Sequence, residues 1–161
     1  MPGGNDRALA AACSRIAAEL EPGVLHLFGP GTTTRMILAA LGLEGTLLGV
    51  DAVRDGRLVG TDLSEQAILA LLDGPARIVV GVTGGQGFLF GRGNQQLGPK
   101  LLRRVGRENV LAVASAAKLL ALAPRRLLVE TGDAAVDAML AGWLRVRTGP
   151  DQTVLMRVEA A

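Results

Sequence analysis

The sequence of 161 residues predicts a three-layer α/β fold, a mostly parallel sheet flanked by helices, with an antiparallel hairpin near the C-terminal end. Three observations predict it. Short apolar runs such as 24–28 and 76–82 are typical of strands buried on both faces of a parallel sheet. Segments with apolar residues at helical spacing alternate with these runs. The segments 143–147 and 153–158 alternate well enough to pair across the turn between them.

The predicted elements follow one another in a regular order. Strands are predicted before the hairpin at 24–28, 46–53, 57–60, 76–82, 109–114 and 126–130. Helices are predicted over 5–20 and 32–41, and four more begin near residues 64, 99, 116 and 134. No linker, internal repeat or low-complexity tract divides the chain. We therefore predict one domain over 1–161, made of an N-terminal helical segment (1–23) and a core (24–161).

Turn and cap residues support these boundaries. The Asp55-Gly56 pair favours a tight hairpin turn before the short strand at 57–60. Pro99 suits the first position of a helix. The predicted N-terminal caps are Asn5 or Asp6, the capping box of Asp62 and Glu65, Ser115 and Asp133.

Composition limits the classes of function. The formal net charge is +2, and three Phe, one Trp and no Tyr leave few rings on which nucleic-acid bases could stack. A single Cys and a single His exclude an internal disulfide and clusters of thiolate or imidazole metal ligands. No apolar run has the length of a membrane span. We expect a cytoplasmic protein that binds neither nucleic acid nor membrane.

The sequence GPGTTTR, between the first strand and the next helix, is the first candidate site. Gly29 and Gly31 allow a sharp turn and close approach of the backbone to a ligand. Hydroxyls beside the free amides of a helix N-terminus favour an anion, typically a phosphate. An ordinary N-cap needs only one hydroxyl. The further candidates in this segment are Thr32, Thr33, Thr34 and, for a bidentate contact, Arg35.

The glycine-rich segment 83–98 is the second candidate, since it follows the strand 76–82. Its amide side chains favour a neutral polar partner such as a ribose or a base edge. A flexible hairpin tip is the alternative. The Phe-Leu-Phe run 88–90 interrupts the loop and is predicted to point inward. The candidate ligand-binding residues here are Gly84, Gly85, Gln86, Gly87, Arg92, Gly93, Asn94 and Gln95.

Two further residues lie at predicted strand ends, where ligands bind in open α/β sheets. Asp51 is able to hold a ribose hydroxyl, act as a base, bind Mg²⁺ or cap a neighbouring loop. Lys118, one turn into its helix, either reaches a phosphate or is an ordinary exposed lysine. We expect the loops 29–34 and 83–98 to lie side by side at the carboxyl edge of the sheet, with Asp51 between them.

The two glycine-rich motifs, read together with the segment 32–59, resemble the C-terminal half of bacterial and archaeal predicted ATP-NAD kinases. That group includes the acetoin-catabolism accessory X-type proteins. The resemblance covers about 24–158 and implies binding of NAD and ATP, with or without Mg²⁺, and phosphorylation of NAD to NADP. It also implies an N-terminal kinase domain as a partner, and we expect a homo-oligomer.

One family feature is missing. NAD kinases carry a Gly-Gly-Asp-Gly-Thr motif in their N-terminal domain, and its aspartate serves the phosphoryl chemistry. This sequence contains no such motif. We therefore expect a chain that lacks the N-terminal kinase domain and is inactive in isolation.

A second resemblance gives an alternative. The order of GPGTTT, the aspartate of GVD, a glycine loop and ASAAK is similar to ribose-5-phosphate isomerases. Those enzymes have a carboxylate before the serine of the last segment, where this chain has Ala114. The resemblance thus implies sugar-phosphate binding more strongly than isomerase catalysis.

Overall fold

A computed structural model describes residues 4–161, and residues 1–3 of the predicted segment 1–23 lie outside the described residues. The helices are α1 (Gly4–Ala18), α2 (Thr32–Ala40), α3 (Glu65–Leu71), α4 (Pro99–Val105), α5 (Ala116–Leu120) and α6 (Ala134–Leu140), with a 3₁₀ turn at Arg107–Asn109. The strands are β1 (Leu25–Phe28), β2 (Asp51–Arg54), β3 (Arg57–Gly60), β4 (Ala76–Val80), β5 (Phe88–Phe90), β6 (Val110–Val113), β7 (Leu127–Val129), β8 (Gly142–Arg147) and β9 (Thr153–Ala160).

The strands form one sheet in the order β3-β2-β1-β4-β6-β8-β9-β7-β5. Parallel pairing joins β1, β4, β6 and β8 in one direction and β9, β7 and β5 in the other. The two groups meet at the antiparallel pair of β8 and β9, in which Gly142 lies opposite Val158 and Arg147 opposite Thr153. The predicted α/β class, mostly parallel sheet and C-terminal hairpin are confirmed.

A short glycine-rich hairpin closes part of the sheet into a ring. Thr83, just beyond β4, forms an antiparallel bridge with Phe88, the first residue of β5. The Thr83 amide donates to the Phe88 carbonyl at 2.8 Å, and the Phe88 amide donates back at 2.9 Å. Because β5 is the edge strand beside β7, this bridge joins the two ends of the series β4-β6-β8-β9-β7-β5. The predicted loop 83–98 therefore contains a strand, and its residues 88–90 are buried, as predicted.

Helices cover both faces of the sheet. α1 and α2 pack against one face, where Cys13 and Ile37 lie in a cluster with Phe28 and Val79. On the opposite face of β4, Ile78 and Val80 belong to a larger cluster with the apolar side chains of α3, α4 and α6. Alternating burial along a strand covered on both faces produces these two clusters.

Most helix starts agree with the cap residues. The Ser115 hydroxyl accepts a hydrogen bond from the Lys118 amide at 3.1 Å, and Asp133 caps α6 through its carboxylate. Pro99 is the first residue of α4, as predicted. α1 begins at Gly4, so Asn5 and Asp6 lie within its first turn rather than before it.

The predicted capping box at α3 is wrong in its cap residue. Ser64, not Asp62, is the N-cap, and its hydroxyl accepts from the Ala67 amide at 3.1 Å. Glu65 instead reaches across to α4, where its carboxylate accepts a hydrogen bond from the Leu101 amide at 3.2 Å. Gly98, the N-cap of α4, has no side chain, so Glu65 supplies the missing acceptor.

The second predicted strand, 46–53, is shorter in the structure. β2 begins at Asp51, and the residues before it form a loop that returns the chain to the edge where β1 ends. β2 therefore runs antiparallel to β1, with Asp51 opposite Phe28. The predicted turn between β2 and β3 is confirmed, and both Asp55 and Gly56 have positive φ, at 53° and 76°.

Candidate functional site

Three chain segments meet in one cavity at the carboxyl edge of the sheet. β1, β4 and β6 are parallel neighbours, so the segments that leave their carboxyl ends emerge side by side. The cavity between them has a volume of about 320 Å³. It is lined by Leu9, Pro30, Gly31, Thr32, Thr33, Gly81, Val82, Thr83, Ala114, Ser115 and Lys118.

The N-terminus of α2 forms one wall. Its N-cap is Gly31, with a φ of 125°, and no side chain caps the helix. Within residues 4–161, no hydrogen bond is formed by the amides of Thr32, Thr33 and Thr34. Such amides carry the positive end of the helix dipole and are ready to bind an anion.

The three threonines have different surroundings. Thr32 is exposed and Thr33 is half-buried, and both line the cavity. Thr34 is buried, and its hydroxyl donates to the carbonyl of Gly29, with the Gly31 carbonyl 3.2 Å away. The hydroxyl of Thr34 therefore stabilises the glycine turn and is not directed to a ligand. Arg35 is exposed and does not line the cavity.

Gly29 is required by close packing rather than by the cavity. A Cβ at this position would lie 3.0 Å from Cγ1 of Val80 and 3.4 Å from Cδ1 of Leu97. The turn after β1 is thus pressed against β4 and against the distal part of the loop 83–98. The two predicted loops do lie side by side.

Charge at the cavity is one-sided. Lys118 is exposed, forms no ion pair with any residue in 4–161, and is the only charged residue in the lining. The hydroxyls of Thr32, Thr33, Thr83 and Ser115 complete the polar surface. No carboxylate is among the described residues that line the cavity, so the lining favours a negatively charged ligand. The arrangement suits a phosphate.

Asp51 does not line this cavity. Its side chain is 1% exposed, and both carboxylate oxygens accept hydrogen bonds from neighbouring loops. Thr46 donates through its amide at 2.7 Å and its hydroxyl at 2.9 Å, and the Asp62 amide donates at 3.0 Å. Of the roles considered for Asp51, the geometry favours the loop cap. In the part of the chain that is described, no three His, Cys, Asp or Glu side chains are grouped to hold a metal.

The proximal part of the glycine loop is a hairpin that lies next to the cavity. Thr83 and the preceding Gly81 line the cavity, whereas Gly84, Gly85 and Gln86 form the exposed tip. The Gln86 carbonyl accepts from Nη1 of Arg126 at 2.9 Å, which holds the tip against the start of β7. Gly87 is buried, and a Cβ there would lie 2.9 Å from Leu122.

The distal part of the loop is held by its own polar groups. Asn94 is 3% exposed; its Nδ2 donates to the Leu89 carbonyl at 2.9 Å and its Oδ1 accepts from the Gly91 amide at 3.1 Å.

The other candidate residues of this part lie at the surface. Arg92 pairs with Glu130 at 3.0 Å and lies 4.9 Å from the centre of the Phe88 ring. Asn94 therefore bonds within its own loop, and Arg92 forms its ion pair at the surface. Gln95 is exposed outside the cavity lining, and a Cβ on Gly93 would lie 3.2 Å from the Thr83 methyl group.

Four of the predicted site residues therefore line the cavity: Gly31, Thr32, Thr33 and Lys118. Sequence reasoning missed Thr83 and Ser115 as wall residues, although both directly follow strands that were predicted. It also missed Leu9, which α1 brings in from the N-terminal segment. No pattern in the sequence indicates that contact, because it depends on how α1 packs on the sheet.

Cys13 connects α1 to the same helix terminus. Its Sγ lies 3.7 Å from the carbonyl oxygen of Thr33. Burial raises the pKa of the Cys13 thiol to about 11. At neutral pH the side chain is a protonated thiol that packs and donates weakly, so it is not a nucleophile.

Comparison with known protein families gives a match over most of the chain. Residues 23–158 match the family model described as ATP-NAD kinase C-terminal domain. No curated protein and no solved structure matches the chain. Among the described residues, none of the helices combines the length and the apolar character needed to cross a membrane.

Proposed function

We propose that this chain, which belongs to the ATP-NAD kinase C-terminal domain family, binds a nucleotide phosphate in the cavity at the start of α2. In this proposal the amides of residues 32–34 and the hydroxyls of Thr32 and Thr33 hold the phosphate oxygens. Lys118 supplies the opposite charge. The ligand is NAD or ATP, and the complete reaction is the phosphorylation of NAD.

One observation carries the proposal: the residues at the start of an uncapped helix and the ammonium group of Lys118 line one cavity, and no carboxylate is among its described lining residues. Each element alone is common. Together the amides and the ammonium group place hydrogen-bond donors and a positive charge around one cavity, and phosphates are commonly bound in this way. Hydrogen bonds to a charged acceptor are roughly twice as strong as those between neutral groups.

The proposal divides the reaction between two parts. Phosphoryl transfer depends mainly on positioning and on stabilising charge around the transferred group. This chain supplies a binding wall, whereas the Gly-Gly-Asp-Gly-Thr motif that the family uses for the transfer is absent from its sequence. An N-terminal kinase domain is therefore the proposed partner. The cytoplasmic location and the homo-oligomer stay predictions.

Sugar-phosphate binding is the second candidate. Ser115 and Lys118, which belong to the segment resembling the isomerases, both line the cavity. Ala114 also lines it, at the position where those enzymes carry a carboxylate. A sugar phosphate would thus find an anion site but no base at that position, which favours binding without isomerisation.

Calorimetric titration of the 161-residue chain with NAD, ATP, ribose 5-phosphate and inorganic phosphate tests both candidates. Lys118→Ala should lower the affinity for every phosphate-bearing ligand by about tenfold, the loss expected for one charge-assisted contact. Lys100→Ala is the matched control, because Lys100 is exposed on α4 outside the cavity lining. Absence of binding by all four ligands, or equal affinity of the two variants, would overturn the anion site.

A further inference from the structure

Two leucines project from the surface beside the proposed anion site, which is the cavity at the start of α2. Leu47 and Leu48 lie in the loop before β2, with exposed fractions of 42% and 80%. Leu48 is the most exposed of the large apolar residues among those described. Apolar side chains that stand adjacent to each other in solvent indicate a binding surface more often than isolated ones do.

The loop that carries these leucines is firmly held. The buried carboxylate of Asp51 binds Thr46 on one side and the Asp62 amide on the other. The loop is also packed tightly, since a Cβ on Gly45 would lie 2.5 Å from Asp51 and one on Gly49 would lie 2.5 Å from Asp62. The exposure of the leucines therefore follows from a defined loop conformation and not from a frayed segment.

The backbone of the pair bridges the two glycine-rich loops. The Leu47 carbonyl accepts a hydrogen bond from the amide of Gly31, the N-cap of α2, at 2.9 Å. The Leu48 carbonyl accepts from Nε2 of Gln96 at 3.5 Å. Leu47 is thus bonded directly to a residue that lines the anion site. The space beside Gly31 is open, since apart from its own chain neighbours no atom lies within 4 Å of a Cβ placed there.

We propose that Leu47 and Leu48 form the platform on which the heterocyclic base of a nucleotide rests while its phosphate binds at the start of α2. This inference rests on the proposed anion site. A base has two flat, largely apolar faces, and burying one against leucine side chains removes apolar surface from water. Ribose 5-phosphate offers the same phosphate without such a face. The platform therefore selects nucleoside phosphates over sugar phosphates.

A rigid platform is an advantage for such selection. Since the loop is already ordered by Asp51, binding of the base costs little conformational entropy. The leucines also recognise no particular base edge. They are expected to accept different heterocycles and to leave the choice between them to polar groups elsewhere.

The test compares inorganic phosphate, ribose 5-phosphate and AMP as probes in calorimetry on the 161-residue chain. AMP is expected to bind about tenfold more tightly than ribose 5-phosphate, and Leu48→Ser should remove most of that difference. Binding of inorganic phosphate should not change in Leu48→Ser. Leu155→Ser is the matched control, because Leu155 is 50% exposed on β9 and is not among the residues that line the cavity.

The outcomes separate the two proposals. If phosphate binds but AMP is no tighter than ribose 5-phosphate, or if Leu48→Ser and Leu155→Ser behave alike towards AMP, the platform is refuted and the anion site stands. If none of the three probes binds, the anion site fails and the platform fails with it. Far-ultraviolet circular dichroism of each variant checks that the fold is retained.

Discussion

The carboxylate of Asp51 accepts two hydrogen bonds from a single residue, Thr46, one from its amide and one from its hydroxyl. The pair fixes the loop before β2 next to the start of α2. Removing the carboxylate leaves buried donors without an acceptor, so Asp51→Ala should lower the free energy of unfolding by about 3 kcal/mol. Urea denaturation measures it. Thr46→Val removes only the hydroxyl and should cost about 1 kcal/mol. A loss below that of Thr46→Val would contradict the capping role of Asp51.

Thr33 and Thr34 should respond differently to the same substitution. Thr33→Val should weaken binding of a phosphate ligand by about 1–2 kcal/mol, because Thr33 lines the cavity and its hydroxyl is a proposed ligand. Thr34→Val should instead lower stability by about 1 kcal/mol, since its hydroxyl bonds to the Gly29 carbonyl. Calorimetric affinity and urea denaturation on both variants separate the two effects. Unchanged affinity in Thr32→Val and Thr33→Val alike would exclude the hydroxyls as ligands.

His26 should make stability depend on pH. Burial lowers its pKa below the ordinary value of about 6.5, and nearby Arg77 lowers it further, outweighing the hydrogen bond to Val24 and the charge of Glu21. The unfolded chain therefore binds the proton more readily than the folded one. Stability should fall as the pH is lowered from about 7.5 to 5.5. NMR of the imidazole follows this directly, since the chain has one histidine. His26→Asn should lose this part of the pH dependence, and a folded-state pKa above that in urea would contradict the prediction.

Cys13 should be unreactive in the folded protein. With a pKa of about 11, only about one thiol in a thousand is ionised at pH 8, and the side chain is buried. A thiol-specific chromogenic reagent should label less than a tenth of the protein on the time scale in which it labels the urea-unfolded chain fully. The unfolded sample is the internal control, because it contains the same single thiol. Equal labelling rates in the two states would show that the helix α1 does not protect Cys13.

The chain of 161 residues alone should form no measurable NADP from NAD and ATP. Its proposed site holds a phosphate, but the motif that the family uses for phosphoryl transfer is absent from its sequence. A family kinase that contains the motif, assayed under the same conditions, is the positive control. NADP formation clearly above the protein-free blank would refute this division of roles.

The predicted residues that line the cavity share a physical cause. Thr32, Thr33 and Lys118 follow apolar runs that are recognisable as parallel strands, and such strands end at one edge of the sheet. Asp51 and Asn94 looked equally suitable by residue type. Whether a polar side chain is free depends on the conformation of its own loop, and both are satisfied within theirs. That conformation is not visible in the spacing of residues.

The sheet shows the same division. The hairpin of β8 and β9 was predicted because its pairing is local and its residues alternate. The pairing of β5 with β7, and of β7 with β9, joins segments distant in sequence, and no local pattern indicates their direction. The bridge of Thr83 with Phe88 was not predicted, because the glycines between these residues are typical of a loop.

The last strand of the fold occupies an interior position in the sheet. β7 is bonded on one side to β9 and on the other to β5, so apart from the bridge of Thr83 with Phe88 these two strands are paired with the rest of the sheet through β9. During synthesis, β5 and β7 leave the ribosome before β9, the strand with which β7 pairs. Their edges therefore stay unpaired until β9 has been synthesised. A chaperone that shields such edges, or slow translation before Thr153, would then change the yield of folded protein without changing the stability of the finished molecule.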